Sequence, residues 1–202
     1  MSILTDRLPD TVTIGGAEHP IHTDFRISIK FELLLQNQET EQKDLVIEGL
    51  QLYYGDALRV FNVQDFQEAV DRMLWFYQCG KTEKKRGVGI SHGPAYSFEY
   101  DDTYIYAAFM DQYRIDLMNI EHLHWWTFRS LFDSLDESQR IMEIIKYRTV
   151  KIDNKMSKEQ RKFYREMKRL YALPKRKKTA QDEVLEEMLM RGEDPEELLS
   201  QR

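Results

Sequence analysis

Cysteine is nearly absent: Cys79 is the only one in 202 residues, which excludes intramolecular disulfides, CxxC redox pairs and cysteine-rich zinc sites together. Glycine and proline are sparse, at 9 and 5 residues, and an all-β sandwich or barrel needs far more turns than these supply. No run approaches the ~18 consecutive apolar residues of a membrane span, and the opening MSILTDRLPD lacks a basic region followed by an apolar signal core. The expectation is a soluble chain made for the cytoplasm. What is present is 42% hydrophobic and 12% aromatic residues, enough to bury the core of one domain or two small ones and too apolar for outright disorder. Helix is the leading expectation.

The net charge of -6 is unevenly spread. Residues 1–150 carry 15 Lys+Arg against 24 Asp+Glu, residues 151–178 carry 12 against 3, and residues 179–202 carry 2 against 8. An acidic body, a basic arm and an acidic tail point to interaction surfaces rather than to a fold.

Local patterns order the elements. TVTIGGAEHPIH alternates about Gly15-Gly16 and predicts a β-hairpin over 11–22. In DFRISIKFELLLQ, Phe25, Ile27, Ile29 and Phe31 fit period two while Phe31, Leu34 and Leu35 fit a helix. Asp24 as N-cap and the Leu-rich second half favour helix. A second helix over about 41–54 stops at Gly55, and a third follows Asn62 with Phe66, Ala69, Val70, Met73 and Tyr77 on one face. Residues 80–97 are glycine-rich and aperiodic, a loop or linker. Beyond them, Tyr106, Phe109, Met110, Tyr113 and Leu117 mark a helix with Asp101-Asp102 at its dipole-favoured start. EHLHWWTFRSLFDSL carries Trp125, Phe128, Phe132 and Leu135 on one stripe, widened by Leu123, Trp126 and Leu131, so it reads as a buried helix. Asp136 and Gln139 precede another helix with Ile141, Ile144, Ile145 and Arg148. Ser157 and Gln160 form a capping box before a helix that ends ahead of Pro174, and Val184, Leu185, Met188 and Leu189 predict a short amphipathic helix in the tail.

The chemistry-bearing residues do not assemble into a recognisable active site. His122 and His124 on a helix would point roughly 200° apart, against the four-residue spacing of a helical zinc pair, and read as packing beside the tryptophans. His92 beside Ser91 lacks a legible orienting group and oxyanion donor for a catalytic dyad. GVGISHGP matches neither phosphate-loop spacing. Asp101, Asp102, Asp111 and Asp116 read as helix-start charges and solvated faces. Cys79 follows WFYQ and reads as a buried or half-buried thiol at a helix end. On the basic arm, Phe163, Tyr164 and Tyr171 offer stacking surfaces for a nucleic acid. They share a face with Met167 and Leu170, however, as in an amphipathic docking helix, which favours a protein contact. The acidic tail, or the acidic body of another subunit, supplies an acidic partner, and the tail of one subunit engaging the arm of the next would favour oligomers at low salt.

IHTDFRISIKFELLL, YDDTYIYAAFMDQYRIDLMNIEHLHWWTFRSLFDSL and IMEIIKYR together resemble a family of small phage proteins found in long-tailed phages of Gram-positive bacteria and in prophages. The resemblance covers about residues 8–150 and is most specific from Tyr100 to Phe132, through the Tyr-rich helix, the IDL turn and the LHWW element. It implies no enzymatic activity. It also implies a gene between those of the major tail protein and the tape-measure protein, the placement of tail-assembly chaperones. The implied role is to bind the tape-measure protein, with the major tail protein as a further partner, and to hold the tape measure soluble in the host bacterial cytoplasm without remaining in the mature virion.

The resulting expectation is a mainly α protein. A helical bundle-like domain over 1–150 carries the small N-terminal β-hairpin, and a projecting C-terminal helical arm over 151–178 leads to the acidic tail at 179–202. A tail-assembly chaperone working as a homo-oligomer is the leading function, and a nucleic-acid-binding accessory protein using the arm is the alternative. Candidate partner-binding residues are Tyr106, Tyr113, Trp125 and Trp126 in the domain and Arg161, Arg165 and Lys168 on the arm. No catalytic, cofactor-binding or metal-binding residue is assigned.

Overall fold

The computed structural model describes residues 4–36, 41–81 and 95–174. Most of the glycine-rich stretch, with Ser91 and His92, lies outside them, as do residues 175–178 of the arm and the whole acidic tail. The described residues are mainly α: a hairpin of β1 (Thr11–Ile14) and β2 (Ala17–Pro20) precedes α1 (Phe25–Gln36), α2 (Gln42–Tyr54), α3 (Phe66–Tyr77), α4 (Asp102–Tyr113), α5 (Trp125–Asp133), α6 (Arg140–Thr149) and α7 (Lys158–Leu170). Two short 3-10 turns join α2 to α3.

The hairpin is antiparallel and turns at Gly15 and Gly16, whose φ values of 58° and 80° are strained for any residue with a side chain. It buries Val12 and Ile14 and is tied to α3, where Glu68 accepts the Gly15 N–H at 2.9 Å and Arg72 donates to the Thr13 carbonyl at 3.1 Å. The alternating period of α1 does not make a strand, because Asp24 accepts the Arg26 N–H at 3.0 Å and starts a helix. Phe25, Ser28 and Phe31 form its buried side, and the Tyr53 hydroxyl of α2 donates to Ser28 at 2.8 Å. Gly49 of α2 lies over Phe31 so closely that a Cβ there would sit 2.8 Å from the ring and 3.3 Å from the Met73 sulfur. The absence of a side chain therefore sets the crossing of α1 and α2.

An aromatic core joins five of the helices. Phe128 of α5 lies 4.9 Å from both Phe25 of α1 and Phe109 of α4, in stacked geometry, and 5.7 Å from Trp125. Tyr77 of α3 stacks on Trp125 and meets Phe31 edge-on, and Phe31 in turn meets Tyr53. On α3 the buried residues are Ala69, Met73 and Phe76, not the full predicted face: Phe66 is 41% exposed and Val70 and Tyr77 are half-buried. Ala69, Met73 and Phe76 stand at i, i+4 and i+7 and form one narrow inward stripe, with Phe66, Val70 and Tyr77 at its edges.

Two further expectations change. The EHLH segment is not helical. Residues Thr23 and Asp24 run beside Leu123 to Trp125, with Trp125 N–H donating to Thr23 at 2.7 Å and Phe25 N–H to Leu123 at 2.9 Å, so α5 starts only at Trp125. Asp101 is not a solvated helix-start charge but is 1% exposed, for the reason given below. The turn after α4 is held from both sides. Asp116 accepts from Met118, Asn119 and the Tyr106 hydroxyl, while Arg26 donates to the carbonyls of Leu117 and Ile120 at 2.9 and 2.8 Å.

His124 caps α5. Its Nδ1 accepts the Trp126 N–H at 3.1 Å, so the neutral ring carries its proton on Nε2 and donates it to the Pro9 carbonyl at 3.1 Å. Burial is the main cause that pushes its pKa below the ordinary 6.5, and protonation would also remove the Nδ1 acceptor.

Two outcomes follow from this packing. Gly49→Ala should destabilise the protein by about 1–2 kcal/mol, because overpacking against buried Phe31 outweighs the helix-propensity gain of about 1 kcal/mol; a shift of the urea midpoint at unchanged slope measures it. Because the folded pKa of His124 is depressed, the unfolded chain binds more protons as pH falls below about 6.5, and its contribution to stability drops through that window. His124→Asn keeps a capping acceptor without a titrating ring, so its loss of stability between about pH 7.5 and 5.5 should be smaller than the parent's.

Candidate functional site

The sequence-derived candidates divide into two groups. The tryptophans are core residues: Trp125 and Trp126 are 1% and 5% exposed, and their indole N–H groups donate to the carbonyls of Tyr77 and Phe76, each at 2.8 Å. They offer no surface to a partner. Tyr106 and Tyr113 are half-buried, with hydroxyls committed to Asp116 at 3.2 Å and to the Leu131 carbonyl at 2.9 Å. These four aromatics are wide enough to serve either a core or a contact surface, and the stripe alone does not distinguish the two.

The three basic candidates lie on α7, which packs on α6. Lys168 is half-buried and donates to the Arg148 carbonyl at 2.8 Å. Arg161 is half-buried and Arg165 exposed. The predicted capping box starts α7, with Ser157 accepting the Gln160 N–H at 3.1 Å and Gln160 accepting the Ser157 N–H at 2.9 Å. Tyr147 of α6 stacks on Tyr171 at 5.8 Å and meets Phe163 edge-on, while Arg140 lies over the Tyr171 ring and donates to its hydroxyl.

A buried ion pair fixes this junction. Arg148 donates to both carboxylate oxygens of Asp101, at 2.6 and 2.9 Å, and two further N–H groups reach the carbonyls of Tyr171 at 2.6 Å and Ala95 at 3.3 Å. Asp101 also accepts the Ser97 N–H at 2.9 Å. Burying two charges costs several kcal/mol per ion unless the geometry is good and every lone pair and proton finds a partner. Here the bidentate fork and the two backbone carbonyls engage four of the five guanidinium N–H groups.

A second polar group lies where α1, α3 and α5 meet. The Tyr77 hydroxyl donates to Glu32 at 3.1 Å, Arg129 donates to the Tyr96 hydroxyl at 2.6 Å, and Arg129 pairs with Asp133 at 3.4 Å. Burial pushes the Glu32 carboxyl up, against the lowering effects of Tyr77 and Arg129. Cys79 is half-buried, and burial pushes its thiol up to about 11. It is protonated at neutral pH and a poor nucleophile.

The surface that sequence reasoning missed is an open groove of about 560 Å³ between α1 and α2, lined by Lys30, Leu33, Leu34, Glu48, Gln51 and Leu52. Leu35 and Ile47 on the same two helices are 43% and 55% exposed. The signal for it was the period of α1. Phe25, Ser28 and Phe31 take the buried side of α1, and Leu33, Leu34 and Leu35 are apolar residues beyond what that side uses. Among the described residues no three His, Cys, Asp or Glu side chains converge as metal ligands, and no helix is long and apolar enough to cross a membrane.

The family described as Bacteriophage Gp15 protein matches residues 4–173, and the chain belongs to it. The match takes in α7 as well as the region that carries the resemblance. No curated protein and no solved structure matches the chain.

Removing either partner of the buried pair, as in Asp101→Asn or Arg148→Met, should cost about 3–5 kcal/mol, with the double variant losing less than the sum of the two. Arg148→Met should also speed proteolytic cleavage in the 150–157 segment by releasing α7. Unchanged cleavage there would show that Tyr147 and Arg140 hold the arm without Arg148.

Proposed function

From that family membership, we propose that the chain is a non-enzymatic tail-assembly chaperone that binds the tape-measure protein and keeps it soluble while the tail tube assembles. The observation that carries this reading is the α1–α2 groove. Its apolar lining of Leu33, Leu34 and Leu52 is flanked by Lys30, Glu48 and Gln51, the arrangement into which an amphipathic helix lays an apolar face with its charged residues on the rim. A tape measure is a long helical chain that repeats such faces. One groove takes only a few side chains, so single contacts are weak, and many copies along one chain bind strongly through multivalency. The chaperone acts in the host bacterial cytoplasm as a homo-oligomer, contacts the major tail protein as assembly proceeds, and leaves before the virion is mature.

The exposed cations of α7 support a second reading, contact with nucleic acid through the phosphate backbone. Salt-steep DNA binding that is lost when Lys162 and Arg165 are replaced by glutamine would favour it.

The test is co-expression with the tape-measure protein encoded beside this chain, followed by pull-down and light-scattering mass. A large soluble complex with many copies per tape measure is expected, and Leu34→Gln combined with Leu52→Gln should reduce capture at least about tenfold while the helical circular dichroism is retained. An insoluble tape measure beside a free, monomeric chain would overturn the reading.

A further inference from the structure

The exposed side of α7 carries two features together. Lys158, Lys162, Arg165 and Arg169 follow at spacings of four, three and four and are all exposed, and none of them has an ion-pair partner among the described residues. Phe163 and Leu170, 46% and 64% exposed, form an apolar edge on the same helix. The acids on this exposed side are Glu159, in the capped first turn, and Glu166. Glu159 and Glu166 run between the cation row and the apolar edge and offset only part of its charge, so the face keeps a net positive stripe beside exposed apolar side chains and is complementary to an acidic amphipathic segment.

The chain itself contains one. Residues 182–197 hold eight carboxylates against a single Arg191, with Val184, Leu185, Met188 and Leu189 at helical spacing. We propose that this acidic segment folds back in cis onto the exposed face of α7, its carboxylates on Lys158, Lys162, Arg165 and Arg169 and its apolar residues against Phe163 and Leu170. Eleven residues, 171–181, separate the end of α7 from Asp182; extended, they reach up to ~36 Å, more than the ~20 Å length of a 13-residue helix. So short a tether holds the segment at roughly millimolar effective concentration, which favours its own α7 over that of a second copy. The family match ends at residue 173, so a segment outside the matched region covers a surface inside it. The KRKK run at 175–178 competes for the same carboxylates, and the experiment separates the two.

Equal amounts of ¹⁵N-labelled and unlabelled full-length chain are mixed, treated with a carbodiimide that joins carboxylates to amines at zero length, digested and read by mass spectrometry. The expected products join Lys158 or Lys162 to Glu183, Glu186 or Glu187 with both peptides from one isotope. Their yield should fall about fivefold in 1 M salt, where the Debye length is about 3 Å. Arg165→Gln with Arg169→Gln, which leaves the lysines in place, should lower the yield about threefold. Mixed-isotope products at these positions would place the tail on a second copy and overturn the cis contact. Products confined to Lys175, Lys177 and Lys178, or a yield unaffected by the arginine changes, would overturn docking on α7.

Discussion

The buried pair of Arg148 with Asp101 is the constraint on which the C-terminal half depends. One guanidinium joins the start of α4, the segment at 95–97, the end of α6 and the end of α7. A bare charge in that position would be expelled, so each contact is a condition of the others. The consequence reaches the surface. By holding Tyr171 against α6, Arg148 sets the rotation of α7 about its axis, which leaves Lys158, Lys162, Arg165 and Arg169 facing water.

The packing of α1 to α5 is built on a different interaction. Rings from α1, α2, α3, α4 and α5 meet edge-on or stacked around Phe128 and Phe31, and aromatic pairs in these geometries add to the area they bury. Gly49 brings α2 close enough to cover Phe31. The helices then splay on the outer side of α1, where Leu33 and Leu34 line an open groove. The fold thus presents two unlike surfaces, an apolar groove at one junction and a cationic helix at another, suited to partners of different chemistry.

Much of the fold was legible. Gly15-Gly16, the helix following Asp24, the stop at Gly55 and the Ser157–Gln160 capping box all appear where local pattern put them. The candidate site was less so. The Asp101 that looks like a dipole-favoured helix start is a buried ligand of Arg148, because the same residue type suits both places and only a distant cation tells them apart. Trp125 and Trp126 suit a partner anchor by the same property that makes them core residues, their large apolar area. The ambiguous period of α1 was itself information, since two apolar faces on one helix produce it.

Turns, caps and amphipathic stripes depend on groups within about four residues of one another, so composition and spacing suffice to place the elements in order and assign the chain to the mainly α class. Burial of a charge, the choice of which stripe faces inward and the uncovered groove depend instead on segments far apart in the chain. Thr23 meets Trp125, Tyr53 meets Ser28 and Arg148 meets Asp101. No local period encodes such meetings, because a side chain's solvation is set by whatever packs over it, and that is known only when all the helices are in place.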